Sequence, residues 1–146
     1  MSRIARGQRT HTVIRIVLLA CVAVIVVITF WPTPVDRPFH AELTRLLNVL
    51  HSAGLPGWLN YGFVEAASNM LMFVPLGALV ALYVMLPLWW LSGVAGLTLS
   101  LCVEFAQQVF LPHRFASPSD LAMNTAGALL GGLIVLIARG GARARR

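Results

Sequence analysis

Charge is what this sequence has least of. Of 146 residues five are acidic, none is lysine, and charged residues of both signs make up 11%, against about 25% in soluble domains. Such a chain lacks the polar cover of a water-soluble globule, and its 58% hydrophobic residues put it in the membrane class. At about 20 residues per crossing the length accommodates four spans as one unit over residues 1–146, with no room for a separate catalytic domain. Cysteine is nearly absent too. Cys21 and Cys102 stand in apolar runs with no C-x-x-C spacing, so they read as small hydrophobes, and no disulfide, metal site or cofactor is expected. The motifs G-x-S-x-G and H-E-x-x-H and a phosphate-cradling loop are missing as well, which leaves a hydrolase without an evident nucleophile.

What is present is arginine at the ends. The net charge of +6 would suit nucleic acid if it were clustered on a folded face. Instead Arg3, Arg6, Arg9 and Arg15 precede the first apolar run and Arg139, Arg143, Arg145 and Arg146 follow the last, which is the pattern of a topology signal, and no nucleic-acid partner is expected.

The first apolar run, Ile16 to Phe30, leads into Trp31-Pro32 without an A-x-A cleavage site, so an uncleaved span over about residues 14–31 is expected, with Trp31 at the interface. Pro32, Pro34 and Pro38 stop the helix. In 39–53 the leucines 43, 46, 47 and 50 alternate with Glu42, Arg45, Asn48 and His51, which predicts a short amphipathic helix lying on the outer membrane face. His40 and His51 are expected to be exposed loop or interface residues, with no metal-ligand spacing nearby. From Phe63 to Leu111 the chain is apolar for too long to be one helix. It predicts spans at about 64–84 and 89–110 joined at Met85-Leu-Pro-Leu88, and after a polar loop holding His113 and Arg114 a fourth span at about 120–138. The expected fold is therefore all-α: a polytopic membrane protein of four transmembrane helices plus the short outer helix. The segments between the spans that face outward hold Arg37, Arg45 and Arg114 against four arginines at each terminus, which predicts an inner-membrane protein with both termini in the cytoplasm.

The last three spans each carry an acid and an amide four residues apart, hence on one helical face: Glu65 and Asn69, Glu104 and Gln108, Asp120 and Asn124. With the predicted topology all three pairs fall in the outer leaflet, beneath His113 and Arg114. Ionisable groups in a bilayer cost about 2.5–3.5 kcal/mol each on insertion scales and normally face a bundle interior or a water-filled cavity. Each residue taken singly suits interhelical hydrogen bonding, with Asp120 as an N-cap and Arg114 neutralising a carboxylate. The set as a whole suits equally a polar pocket open to the outer face. Gly127-x3-Gly131, Gly132 and the Ser92, Gly96, Ser100 stripe predict close helix packing, and Pro75 predicts a kink near Gly77.

Three blocks, Asn69-x3-Phe73-x-Pro75-x-Gly77, Glu104-x2-Gln107 with Gln108, and Arg114-x5-Asp120-x3-Asn124-x2-Gly127, stand in an order and spacing that resembles the VanZ-like family of membrane proteins. The match covers about residues 60–135. The family's name comes from a member associated with low-level resistance to the glycopeptide teicoplanin, so the resemblance implies the bacterial envelope as the place of action rather than a particular reaction.

Several functions compete on this basis. A pocket of Glu65, Asn69, Glu104, Gln107, Gln108, Arg114, Asp120 and Asn124 can take the head group of an amphiphile whose tail stays in lipid. Such partners are a membrane lipid, a lipid-linked cell-wall precursor or a lipoglycopeptide. Paired carboxylates can instead serve as general acid and base on a lipid-linked substrate, although Ser117 and Ser119 read more simply as turn and cap residues. Transport is disfavoured, because no ionisable residue continues a path through the inner half of any span. A scaffold that uses the polar set only for packing is the remaining class.

Overall fold

The computed structural model describes residues 2–30, 39–110 and 118–144. It is all-helical over these residues: α1 is Ser2–Thr29, α2 His40–Ser52, α3 Tyr61–Tyr83, α4 Leu91–Phe110 and α5 Pro118–Ala144. Stretches Gln8–Thr29, Tyr61–Tyr83, Leu91–Phe110 and Pro118–Ala142 of α1, α3, α4 and α5 are long and apolar enough to cross a membrane. The four spans and the short helix between the first two thus stand where composition and periodicity predict them. Helix α1 begins well before the expected span, and α5 runs beyond it. Hydropathy marks the part of a helix that suits lipid, whereas arginine and alanine are good helix formers that carry the hydrogen-bonded coil past it.

Local signals set the boundaries. Asn60 caps α3, its Oδ1 accepting from the Phe63 N–H at 3.1 Å, which satisfies one of the donors a helix start leaves open. Leu86–Leu88 forms a single 3-10 turn between α3 and α4, the tight connection that Pro87 enforces. Pro75 lies inside α3 without ending it.

Helix α5 is the centre of the bundle: a third of its most apolar stretch is buried (33%), against 6% of that in α1. In lipid there is no hydrophobic drive between helices, so association rests on close packing of small residues and on interhelical hydrogen bonds. Gly127 and Gly131 of α5 lie directly on the backbone of Met70 and Val74 in α3, and Gly77 of α3 lies on that of Ala128. A Cβ at any of these three glycines would overlap a neighbouring main chain. The two helices run parallel at this crossing. On its other side α5 meets α4 antiparallel in a four-residue step, with Ser92 against Gly132 and Gly96 against Ala128, followed by Ser100 against Asn124. The Ser92 hydroxyl also donates to the Gly77 carbonyl of α3 at 2.8 Å. Helix α1 closes the assembly by packing Ile25 onto Phe73, Leu76 and Ala128.

Helix α2 buries Leu47 while Leu46, Val49 and Leu50 remain exposed, and its His40 ring lies 4.3 Å from that of Tyr61 at the start of α3. It is amphipathic, as its sequence predicts. Where α1 ends, α3 starts, α4 ends and α5 starts, the chain is on one side of the bundle; this side is called the acid end below and the opposite side the arginine end.

Candidate functional site

The α4–α5 step continues beyond Ser100 and Asn124 to its last rung, Glu104 and Asp120, close enough for their charges to interact. This follows from the antiparallel register: one turn towards the C-terminus of α4 matches one turn towards the N-terminus of α5. Asp120 in turn accepts from α3, through Asn69 Nδ2 to Oδ1 at 3.0 Å. Asn124, 8% exposed, donates through Nδ2 to the Ser100 Oγ at 2.9 Å. Asn69, Glu104, Asp120 and Asn124, from three different spans, are thereby brought into one polar seam with Ser100.

The remaining candidates stand differently. Gln107 turns to α1, where its Nε2 donates to the Thr29 carbonyl at the C-terminus of that helix at 2.7 Å. Gln108 is exposed on the outside of α4, and Glu65 is exposed one turn nearer the start of α3 than Asn69. Arg114 and His113 lie outside the described residues. Sequence reasoning took Ser100 for a packing residue only. Its role as acceptor for Asn124 was visible as a continuation: 92, 96, 100 and 104 share one face of α4, so a face that packs through Ser and Gly must carry Glu104 into the same contact.

The electrostatics of the seam are lopsided. Glu104 Oε1 and Asn124 Oδ1 are buried and accept no hydrogen bond. A buried polar group without a partner costs about 1–3 kcal/mol, and two carboxylates side by side in a low-dielectric setting repel each other. Among the described residues no arginine or histidine pairs with Glu104 or Asp120. Among the described residues the seam therefore presents two unpartnered acceptors, Glu104 Oε1 and Asn124 Oδ1, to whatever can supply donors. Among the described residues, no three His, Cys, Asp or Glu side chains group as metal ligands would.

No curated protein and no solved structure matches the chain. The sequence model of the VanZ/LLP1 family matches residues 16–139, a range that contains the whole seam, the glycine crossing of α3 and α5 and most of every span. On that match the chain is a membrane protein of the VanZ/LLP1 family.

Proposed function

We propose that this protein works in the bacterial cell envelope, lies in the inner membrane with both termini in the cytoplasm, and uses the acid end to hold the donor-bearing head group of an amphiphile. The observation that carries the reading is the pair of buried, unpartnered acceptors, Glu104 Oε1 and Asn124 Oδ1, beside Asp120. An amine or a set of hydroxyls seated there would satisfy both oxygens and offset the like charges, while the apolar tail stays among the lipid-facing side chains of α4, where Leu97, Leu101 and Phe105 are exposed. The arginine asymmetry supports the orientation that turns this end outward. A lipid-linked wall precursor or a lipoglycopeptide fits that side of the membrane, and the resemblance to a family named for teicoplanin resistance supports the latter.

A catalytic reading has less to rest on. The Ser92 hydroxyl donates to the Gly77 carbonyl and the Ser100 oxygen accepts from Asn124, so both are engaged in helix contacts. The binding reading is tested in cells with and without the protein, challenged with glycopeptides that carry or lack a lipid tail. Protection confined to the tailed compounds and lost in Glu104→Gln is expected, and equal protection against both kinds would overturn it.

A further inference from the structure

The arginine end has a second polar arrangement, built from different residues and independent of the seam. Arg15 of α1 lays its guanidinium on Tyr83, the last residue of α3: Nε and Nη2 donate to the phenol oxygen at 3.0 and 2.6 Å, and the guanidinium carbon lies 5.3 Å from the ring centroid. His11, one turn earlier, meets the same ring edge-on at 5.7 Å. Arg139 of α5 donates to the carbonyls of Ala81 and Leu82, at 3.4 and 3.1 Å. Two guanidinium groups from two spans thus converge on the last three residues of α3.

Part of this is explained by the helix end itself, whose last carbonyls are open and whose dipole attracts cations. That explanation leaves the charge unanswered. A neutral phenol and two backbone carbonyls compensate no formal charge, and the sequence holds no acidic residue before Asp36, between Glu65 and Glu104, or after Asp120. All three described acids of the spans lie at the opposite end, so among the described residues no side-chain carboxylate reaches Arg15 or Arg139. Each guanidinium has five N–H donors and spends two here. Tyr83 Oη accepts from Arg15 and keeps its own hydrogen to donate. Arg15 is exposed and Arg139 half-buried, so the remaining donors are reachable.

We propose that Arg15, Arg139 and the Tyr83 hydroxyl form a seat for a phosphate group, supplied by the head group of an anionic phospholipid. Planar guanidinium forks match phosphate oxygens, and basic sites between transmembrane helices are where anionic head groups are held. The terminal arginines alone would give a diffuse attraction to any anionic surface. A seat differs from that in its stoichiometry and in its dependence on particular side chains.

The full chain, purified in mild detergent, is to be titrated with phosphatidylglycerol, phosphatidylcholine or inorganic phosphate, and bound lipid counted by native mass spectrometry beside a thermal melt. One phosphatidylglycerol retained per chain is expected, with a raised melting temperature and no such effect from phosphatidylcholine. Arg15→Gln and Arg139→Gln should each weaken retention about tenfold, or roughly 1.4 kcal/mol, and Tyr83→Phe, which keeps the ring, several-fold. Arg9→Gln, exposed on α1 and remote from Tyr83 in sequence, should leave it unchanged. Stabilisation by inorganic phosphate that the same variants abolish would keep the seat and assign it to a free anion. Retention that is equal in all variants, or that falls as much in Arg9→Gln as in Arg139→Gln, would overturn the proposal in favour of diffuse attraction.

Discussion

The two ends of the bundle satisfy their polar groups in opposite ways. At the arginine end the guanidinium groups of Arg15 and Arg139 donate to acceptors the fold has to spare, a phenol and two helix-terminal carbonyls. At the acid end, among the described residues, two buried oxygens, Glu104 Oε1 and Asn124 Oδ1, accept no hydrogen bond, and the buried His51 Nε2 of α2 has no partner either. The first arrangement lowers the energy of the folded chain by itself; the second raises it unless something is added. A protein selected for packing alone would replace Glu104 by an apolar residue, since isosteric apolar groups are often as stable as, or more stable than, buried charge. On the function proposed above, the head group is held at the end that is worse off.

The largest effect that would break this comparison lies between the ends, in the crossing that holds them apart. Gly127→Leu or Gly131→Leu should drive α5 off the α3 backbone at a cost of about 3 kcal/mol or more, visible as loss of monodisperse protein in detergent. Gly140→Leu, whose added Cβ meets nothing within 4 Å, should behave as the parent. A smaller effect of opposite sign is expected from Glu104→Gln. Its amide can donate to Asp120 or Asn124, so thermal unfolding should show a gain of about 1 kcal/mol while protection of cells disappears. Stability and activity falling together would instead make the seam structural. The smallest difference separates two adjacent glutamines: Gln107→Ala should cost about 0.6 kcal/mol by losing its bond to the Thr29 carbonyl, and Gln108→Ala should stay within about 0.5 kcal/mol of the parent. Equal losses from both would show that α4 is rotated from the orientation described.

Much of this architecture is legible in the residues. Apolar runs long enough to cross a bilayer, the prolines that end them and the small-residue stripes place the four spans and their tight packing, because each rests on local chemistry. Which polar side chains meet is decided by helix rotation and register, and here spacing says less. Glu104 and Gln108 share a face by spacing, yet Gln108, two residues from the end of α4, lies beyond the last rung against α5 and is exposed, while its neighbour Gln107 reaches α1. The pairing of Glu104 with Asp120 needs the antiparallel register, which Ser92, Gly96 and Ser100 against Gly132, Ala128 and Asn124 supply once both helices are seen together. The deficit of donors is still less accessible, being a property of the whole seam rather than of any motif.

Ala128 is fully buried, with Gly77 on one side and Gly96 on the other, and it belongs to α5, which leaves the ribosome after α3 and α4. Until α5 arrives, Asn69 and Ser100 lack the partners they meet in the folded chain, and the small-residue faces of α3 and α4 have nothing to close upon. Assembly is therefore gated by synthesis of α5: a chain stopped before residue 118 presents the membrane quality-control machinery with an acid in a span and two open grooves, which close only once α5 is in place.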